Sequence, residues 1–476
     1  MTSDGQEMEQ AMRNIHQSDA VGEAIAELKA RFGDRATTSA ALLEQHGHDE
    51  SHHSSHLPDI VVFAESTEEV ADVVALCSHY RIPVIAFGAG TSLEGQVNAV
   101  KGGVSLDLSR MNRILRVSQE DFDCTVQAGV RRKQLNEYVR DTGLFFPIDP
   151  GPDATIGGMA ATRASGTNAV RYGTMRENVL ALTVVTTGGK IIRTARRARK
   201  SAAGYDLTRL FIGSEGTLGI ITEVTLRLHG IPEDSLVGSC VFASEADAVN
   251  TAIQTLQLGV TPARVEFLDD RQIAAINRFS RTELPVAPTL FFEMHGSTRH
   301  VVEQAELFKA IAEENGGSSF RMANEPEERT ALWQARHDAY YAAVAQRVGG
   351  RGWATDVCVP ISRIAECIVE TKRDLADCPV PACIVGHVGD GNFHVVFSLD
   401  PENPAELEAI AEISHRLVER AIGMDGTSTG EHGVGLGKMK YLQEEHGDAL
   451  EQMRLVKQAF DPLGIFNPGK MIEPAL

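Results

Sequence analysis

The run VIAFGAGTSLEG, residues 84–95, passes from four strand-forming residues straight into a turn of glycine, threonine and serine. A strand that ends in small residues can point successive backbone N–H groups at one anion, with the Thr91 and Ser92 hydroxyls as further donors. The segment matches neither GxGxxG nor GxxxxGK followed by Ser or Thr, which counts against Rossmann and P-loop readings. By itself it could be an ordinary glycine-rich turn. Two further segments shift the balance. DPGPDATIGGMAATRASGTNAVRYGT (149–174) combines prolines, paired glycines and few bulky side chains. That is the composition of an ordered surface loop or of a backbone surface laid against an extended cofactor. GSEGTLGIITEVTLRL (213–228) places small polar residues before a strong strand. Three such cradles in one domain favour a large dinucleotide over a simple phosphate.

Around these cradles the chain reads as α+β. Apolar alternation predicts strands at 60–63, 84–87, 104–108, 114–117, 124–128, 180–186, 191–194 and 220–228, with helices over 21–32 and 67–79. Beyond Pro232 the order strand, helix, strand recurs: strands at 236–242, 263–268, 290–295 and 318–322, helices over 245–258 and 301–314. This predicts a ferredoxin-like antiparallel sheet covered on one side by helices. Further helices are expected over 326–348, 362–374 and 405–424, and the tail DPLGIFNPGKM returns to turn chemistry, suited to re-entering the first domain. Residues 1–20 are polar and predicted to fray. The stretch EQHGHDESHHSSH (44–56) is open to three readings: a solvent-exposed loop, a metal site or a loop over an active site.

The 476 residues exceed one compact core and point to two large domains or one with a substantial insertion. With 45 Lys plus Arg against 65 Asp plus Glu, the formal charge of −20 disfavours nucleic acid and anionic membranes as partners. No apolar run reaches the ~18 residues of a transmembrane span, and Asp4, Glu7 and Glu9 do not suit a targeting segment. Seven cysteines without a CxxC pair read as reduced thiols, so the expected location is cytoplasmic, with peripheral association with respiratory components.

GHVGDGNFH (386–394) sets His387 and His394 around a GDGN reversal, so that two histidines leading out of one turn can face one ion. TGEHGVG (429–435) offers Glu431 as a third ligand with His432 beside it. Two imidazoles and a carboxylate suit Zn²⁺ or Mn²⁺ with positions left open to water or substrate. The alternative is that these histidines are hydrogen-bonded core or rim residues.

The three cradles in this order and spacing resemble the flavoproteins of the vanillyl-alcohol oxidase and para-cresol methylhydroxylase (PCMH) superfamily over roughly residues 55–476. The resemblance implies a PCMH-type FAD-binding domain over 55–232, preceded by an N-terminal helical segment and His-rich loop over 1–54. A substrate domain over 233–428 follows, and then a C-terminal segment over 429–476 that returns to the FAD domain. It implies FAD pyrophosphate contacts from Gly88, Gly90, Thr91, Ser92 and Gly95, and further contacts from Pro150, Thr155, Gly158, Ser165, Gly166 and Asn168 and from Glu215, Gly219, Ile221 and Asn467. Covalent members often carry a histidine in the first cradle; Ser92 and Leu93 stand there, implying non-covalent FAD.

HxGDGNxH with EHGxG is similar to the flavin-dependent dehydrogenases of D-2-hydroxyacids, a group that includes D-2-hydroxyglutarate dehydrogenase and the glycolate oxidase catalytic subunit. TDVCVPISR (355–363) and HGHDES (46–51) look most like its cytochrome-linked D-lactate dehydrogenase branch. Carried over by motif, His387, His394 and Glu431 would hold the metal, His432 would be the base, and Arg336 in WQARH (333–337) would bind the substrate carboxylate. A guanidinium fork suits a carboxylate bidentately, although a surface ion pair is the plain alternative for Arg336. Trp333 would wall the pocket or simply fill the core. Ala354 stands where the D-2-hydroxyglutarate enzymes usually carry a lysine, favouring a substrate with one carboxylate; Asp356 could position neighbours or cap a turn.

The reaction implied is oxidation of a D-2-hydroxyacid, D-lactate to pyruvate first. Hydride would pass to flavin N5, the metal and His432 would assist proton removal, and cytochrome c, a quinone or an electron-transfer flavoprotein would accept the electrons. The rivals are a D-2-hydroxyglutarate or glycolate dehydrogenase and a non-catalytic FAD-holding electron-transfer subunit.

Overall fold

The computed structural model describes residues 19–323 and 325–473; the fraying expected of residues 1–18 lies outside them. Two sheets form the half that carries the glycine-rich segments. In the first, strands Ile60–Phe63, Val104–Asp107 and Val84–Phe87 run parallel, with Ala36–Thr37 antiparallel on the edge. The crossover is helix Thr67–Tyr80, whose Ser66 hydroxyl accepts the Glu69 N–H at its start and whose end is the left-handed Arg81. The second sheet is antiparallel, in the order Ile114–Ser118, Asp123–Gln127, Ile220–Arg227, Val179–Thr186, Lys190–Arg193. The C-terminal tail does come back to this half: Phe466 bridges Val84 in parallel, and Asn467 N–H donates to the Val84 carbonyl at 3.0 Å.

The other half is built on one antiparallel sheet in the order Ser318–Ala323, Asp234–Val241, Thr289–Gly296, Arg264–Leu268, Ala382–His387, Asn392–Leu399, Arg351–Ala354, with Val357–Cys358 also on Asn392–Leu399. Its helices lie on both faces, not on one as the repeating pattern suggests. The period-2 alternation of a strand shows why. Phe393, Val395 and Phe397 enter a core with helices Glu245–Gln257, Thr298–Glu314, Ile364–Asp374 and Pro404–Gly423. Val396, pointing the other way, enters a second core with helices Asp270–Ser280, Pro326–His337 and Ala339–Val344. The second set covers only part of its face. The polar residues of that face, among them Glu266, His387 and His394, are left toward the glycine-rich half.

Around this sheet two helix readings change. The single helix expected over 326–348 is two, broken at Asp338, where ψ is −6° and the carboxylate is tied to the Ser280 hydroxyl and the Gln334 amide. Helix Asp270–Ser280, capped by the Asp269 carboxylate, has no counterpart in the sequence reading.

Candidate active site

A cleft with an empty volume of about 1970 Å³, its open mouth included, runs between the two halves. The three glycine-rich segments line one side; Arg336, His387, His394, Glu431 and His432 line the other. Strand Val84–Phe87 delivers the first segment, and among the described residues no protein acceptor meets the backbone N–H groups of residues 88–93. Six consecutive donors left toward a cleft fit an anionic pyrophosphate. A Cβ on Gly88 would lie 2.4 Å from Thr155 Oγ1, so only glycine lets the first and second segments approach this closely.

Of the residues expected to touch FAD, all line the cleft except Gly95 and Asn168. Gly95 packs behind it, beside Leu436 and His53. Asn168 donates to the Pro147 carbonyl and accepts from Arg264 Nε, both at 3.0 Å, and so supports the second segment from outside. Glu215 lines the cleft, but its carboxylate accepts the N–H groups of Val434 (2.6 Å) and Gly435 (2.9 Å) and holds the EHGVG loop. Burial pushes its pKa up to about 7, against those two hydrogen bonds.

The hairpin Ala382–His387/Asn392–Leu399 pairs Val385 with His394 and His387 with Asn392, which puts both histidines on one face, a step apart. Their Nε2 atoms each lie 3.3 Å from Glu431 Oε1. Ligand atoms ~2.1 Å from one cation sit ~3.0–3.4 Å apart, so the spacing suits a shared ion. The far nitrogens suit it too. His394 Nδ1 is 3.0 Å from the Thr355 carbonyl, and His387 Nδ1 is 2.7 Å from Glu266 Oε1. Each Nδ1 then carries the proton and leaves the Nε2 lone pair for the shared point. Burial disfavours charge on Glu431, yet His387 and His394 hold its pKa well below the carboxylate range. Burial likewise opposes charge on His387, but Glu266 and Glu431 prevail and raise its pKa well above the imidazole range, so proton and cation compete for Nε2.

Asp356, fully buried, organises the loop that brings Glu431 and His432 in. Its Oδ2 accepts from Thr429 Oγ1 (2.7 Å) and from the Glu431 and His432 N–H groups (both 2.8 Å), while Oδ1 accepts from Asn392 Nδ2 at 2.8 Å. It both caps the turn and positions its neighbours. The His432 ring stacks on His394 at 4.8 Å, and its Nδ1 is buried without a protein partner among the described residues. Burial lowers the His432 pKa, with Asp356 opposing, so a neutral imidazole able to accept a proton is favoured at neutral pH.

Arg336 reaches the cleft with one edge of its guanidinium already engaged. Its Nε and Nη2 donate to Glu266 Oε2 at 2.9 and 2.5 Å. Trp333 does not line the cleft; it belongs to the second core, with Arg264 above its ring at 4.6 Å. Glu266, which joins Arg336 to His387, is absent from the sequence reading. In the sequence it is one acid in the strand RVEFL (264–268), next but one to Arg264, with no spacing pattern to mark it.

The histidine-rich stretch is not a free surface loop. His46 is buried with Nε2 2.9 Å from Asp107, Glu50 N–H donates to the Ser92 carbonyl and its side chain lines the cleft, and His52 stacks on Trp353 at 3.5 Å. It packs over the first glycine-rich segment and reaches the opposite half.

Residues 58–195 match the FAD binding domain family, and residues 231–471 match the C-terminal domain of FAD linked oxidases. The chain is 53% identical to a probable mitochondrial D-lactate dehydrogenase of Danio rerio, covering 95% of this chain and 92% of that protein. The chain belongs to the FAD-linked oxidase family. A second relative, the mitochondrial D-lactate dehydrogenase [cytochrome] of Arabidopsis thaliana, is 47% identical over 95% of this chain and 80% of its own. In fold, this FAD-linked oxidase superposes on 4-ethylphenol oxidase from Gulosibacter chungangensis with a TM-score of 0.80, 19% identity, and coverage of 96% of this chain and 98% of that one. The PCMH-type resemblance is thereby borne out. The expected cytoplasmic location is not: both relatives are named as mitochondrial proteins. Sparse free thiols speak to a reducing milieu, which does not identify the compartment. No helix among the described residues is long and apolar enough to cross a membrane.

Proposed function

We propose that this FAD-linked oxidase oxidises D-lactate to pyruvate. The observation that carries the reading is the meeting, in one cleft, of the acceptor-less N–H row at 88–93 with Arg336 and the convergent set His387, His394, Glu431 and His432. The names of the relatives support the choice of substrate.

FAD, bound without a covalent link, would supply a two-electron sink for hydride from the substrate's α-carbon. Arg336 binds the substrate carboxylate through the Nη1–Nη2 edge that Glu266 leaves unused. His387, His394 and Glu431 would hold a divalent ion, Zn²⁺ or Mn²⁺, which would serve as a Lewis acid toward the substrate oxygens. His432, neutral and stacked beside them, accepts the hydroxyl proton. Electrons leave to an external acceptor, with a cytochrome favoured by the name of the Arabidopsis relative.

The test is anaerobic mixing of the FAD-loaded protein with D-lactate, L-lactate, glycolate and D-2-hydroxyglutarate. D-Lactate should bleach the flavin fastest and L-lactate should leave it oxidised, and acid precipitation should release free FAD into the supernatant. Faster bleaching by glycolate or D-2-hydroxyglutarate would reassign the substrate; inertness to all four would favour the non-catalytic subunit.

A further inference from the structure

Glu266 is a carboxylate that no step above uses. It sits on strand Arg264–Leu268 with 1% exposure, and its two oxygens face two different groups. Oε1 is 2.7 Å from His387 Nδ1, and Oε2 takes both Nε and Nη2 of Arg336. The same carboxylate therefore touches a proposed metal ligand and the proposed substrate anchor, which come from separate elements, the end of strand Ala382–His387 and helix Pro326–His337.

We infer that Glu266 is a positioning residue that sets the metal-binding tautomer of His387 and the aim of Arg336 as one unit. The reasoning rests on the metal and anchor roles just proposed. An acceptor-only group opposite Nδ1 fixes the proton there and leaves Nε2 free to ligate. The other oxygen takes the Nε edge of the guanidinium, one N–H each of Nε and Nη2, and so turns the opposite Nη1–Nη2 edge toward the cleft, which fixes where a carboxylate can sit.

Glutamine at this position keeps the shape and reverses half of the chemistry. Its single oxygen can serve only one partner. Facing Arg336 with that oxygen turns the amide NH₂ toward His387, whose Nδ1 must then accept, and the ring proton moves to Nε2, the atom that should bind the ion. Facing His387 with it instead sets amide donors against guanidinium donors. Neither orientation satisfies both partners.

The experiment titrates Zn²⁺ and, separately, Mn²⁺ into chelator-stripped wild type, Glu266→Gln and Glu293→Gln, reading ion affinity directly and FAD content alongside. Glu293 is a buried acid on the same face, bonded to His295 and Arg264 rather than to His387 or Arg336. Glu266→Gln should bind the ion about 10–100-fold more weakly than wild type while retaining FAD, its KM for D-lactate should rise, and excess ion should restore part of its kcat. Glu293→Gln should keep wild-type ion affinity. If Glu266→Gln does not fold, Glu266→Asp keeps the charge but is one methylene too short to reach both partners, and it should show the same loss of ion affinity. Wild type that binds neither ion overturns the metal reading and this inference with it. Wild type that binds, beside Glu266 variants of equal affinity, overturns the role of Glu266 alone.

Discussion

The jobs proposed for Arg336 and His432 differ, and substitution should separate them. Arg336→Lys keeps the charge but cannot engage Glu266 through two nitrogens and still present a defined donor to the substrate. It should raise KM for D-lactate, with a smaller fall in kcat, measured at steady state with a dye acceptor. His432→Asn leaves Arg336 and the His387, His394 and Glu431 set in place and removes the proposed base. Flavin bleaching followed by rapid mixing should slow by about 10²–10⁴-fold. Bleaching at the wild-type rate would shift the proton to another acceptor. These residues were legible because glycine-flanked histidines around GDGN and in EHGVG are chemically conspicuous. Glu266 was not, because its role comes from three groups that are far apart in sequence, at 266, 336 and 387, and one acid in a strand carries no spacing signal.

At the scale of elements, the hairpin that carries both histidines depends on the GDGN turn. Gly391 has φ of +82°, and a Cβ there would lie 2.1 Å from the Val359 carbonyl oxygen. Gly391→Ala combines a backbone conformation that L-residues avoid with a collision against backbone that cannot swing away. It should destabilise the protein by ~1–3 kcal/mol, read from urea unfolding midpoints, and slow flavin bleaching by displacing His387 and His394. The turn was readable from the sequence, since a GDGN composition demands a reversal. The break at Asp338 was not: the run 326–348 keeps helical periodicity across it, and what ends the first helix is a tertiary contact, the Ser280 hydroxyl on the Asp338 carboxylate. The helices on the second face were hidden for a related reason. Strands buried on both faces lose the polar alternation that would reveal an uncovered side.

Across the whole molecule, the stretch 46–56 links the two halves that form the cleft, and its titration offers a handle on that link. His52 lies flat against Trp353, and Arg351 donates to the Ser51 carbonyl at 2.5 Å. Burial lowers the His52 pKa to about 3. The sign follows from linkage: between about pH 6.5 and the folded value the unfolded chain takes up a proton that the folded one refuses, so stability contributed at this position falls as pH falls through that window. His52→Phe preserves a flat ring against Trp353 and removes the titration. Urea unfolding midpoints at pH 7 and pH 5 should therefore drop less in His52→Phe than in wild type. An equal drop would assign the acid sensitivity to other buried groups, such as His229, whose pKa burial lowers to about 4.

What the sequence determined by itself was local chemistry and its order. Strand endings in small residues, paired histidines around a turn and an acid-histidine pair among glycines are legible because each depends on residues within about ten positions of one another. That was enough for the cofactor class and for many of the residues that line the cleft. Only the tertiary structure decided how these pieces are aimed: that Asp356 gathers the Glu431 loop, that Glu215 and Asn467 hold the chain's return rather than serving the cleft alone, and that Glu266 joins His387 to Arg336. Such contacts depend on strand register and on which face of a sheet meets the other half of the molecule. A one-residue shift of register would move His387 and His394 into the apolar core, so the packing of both faces fixes the alignment on which the site depends.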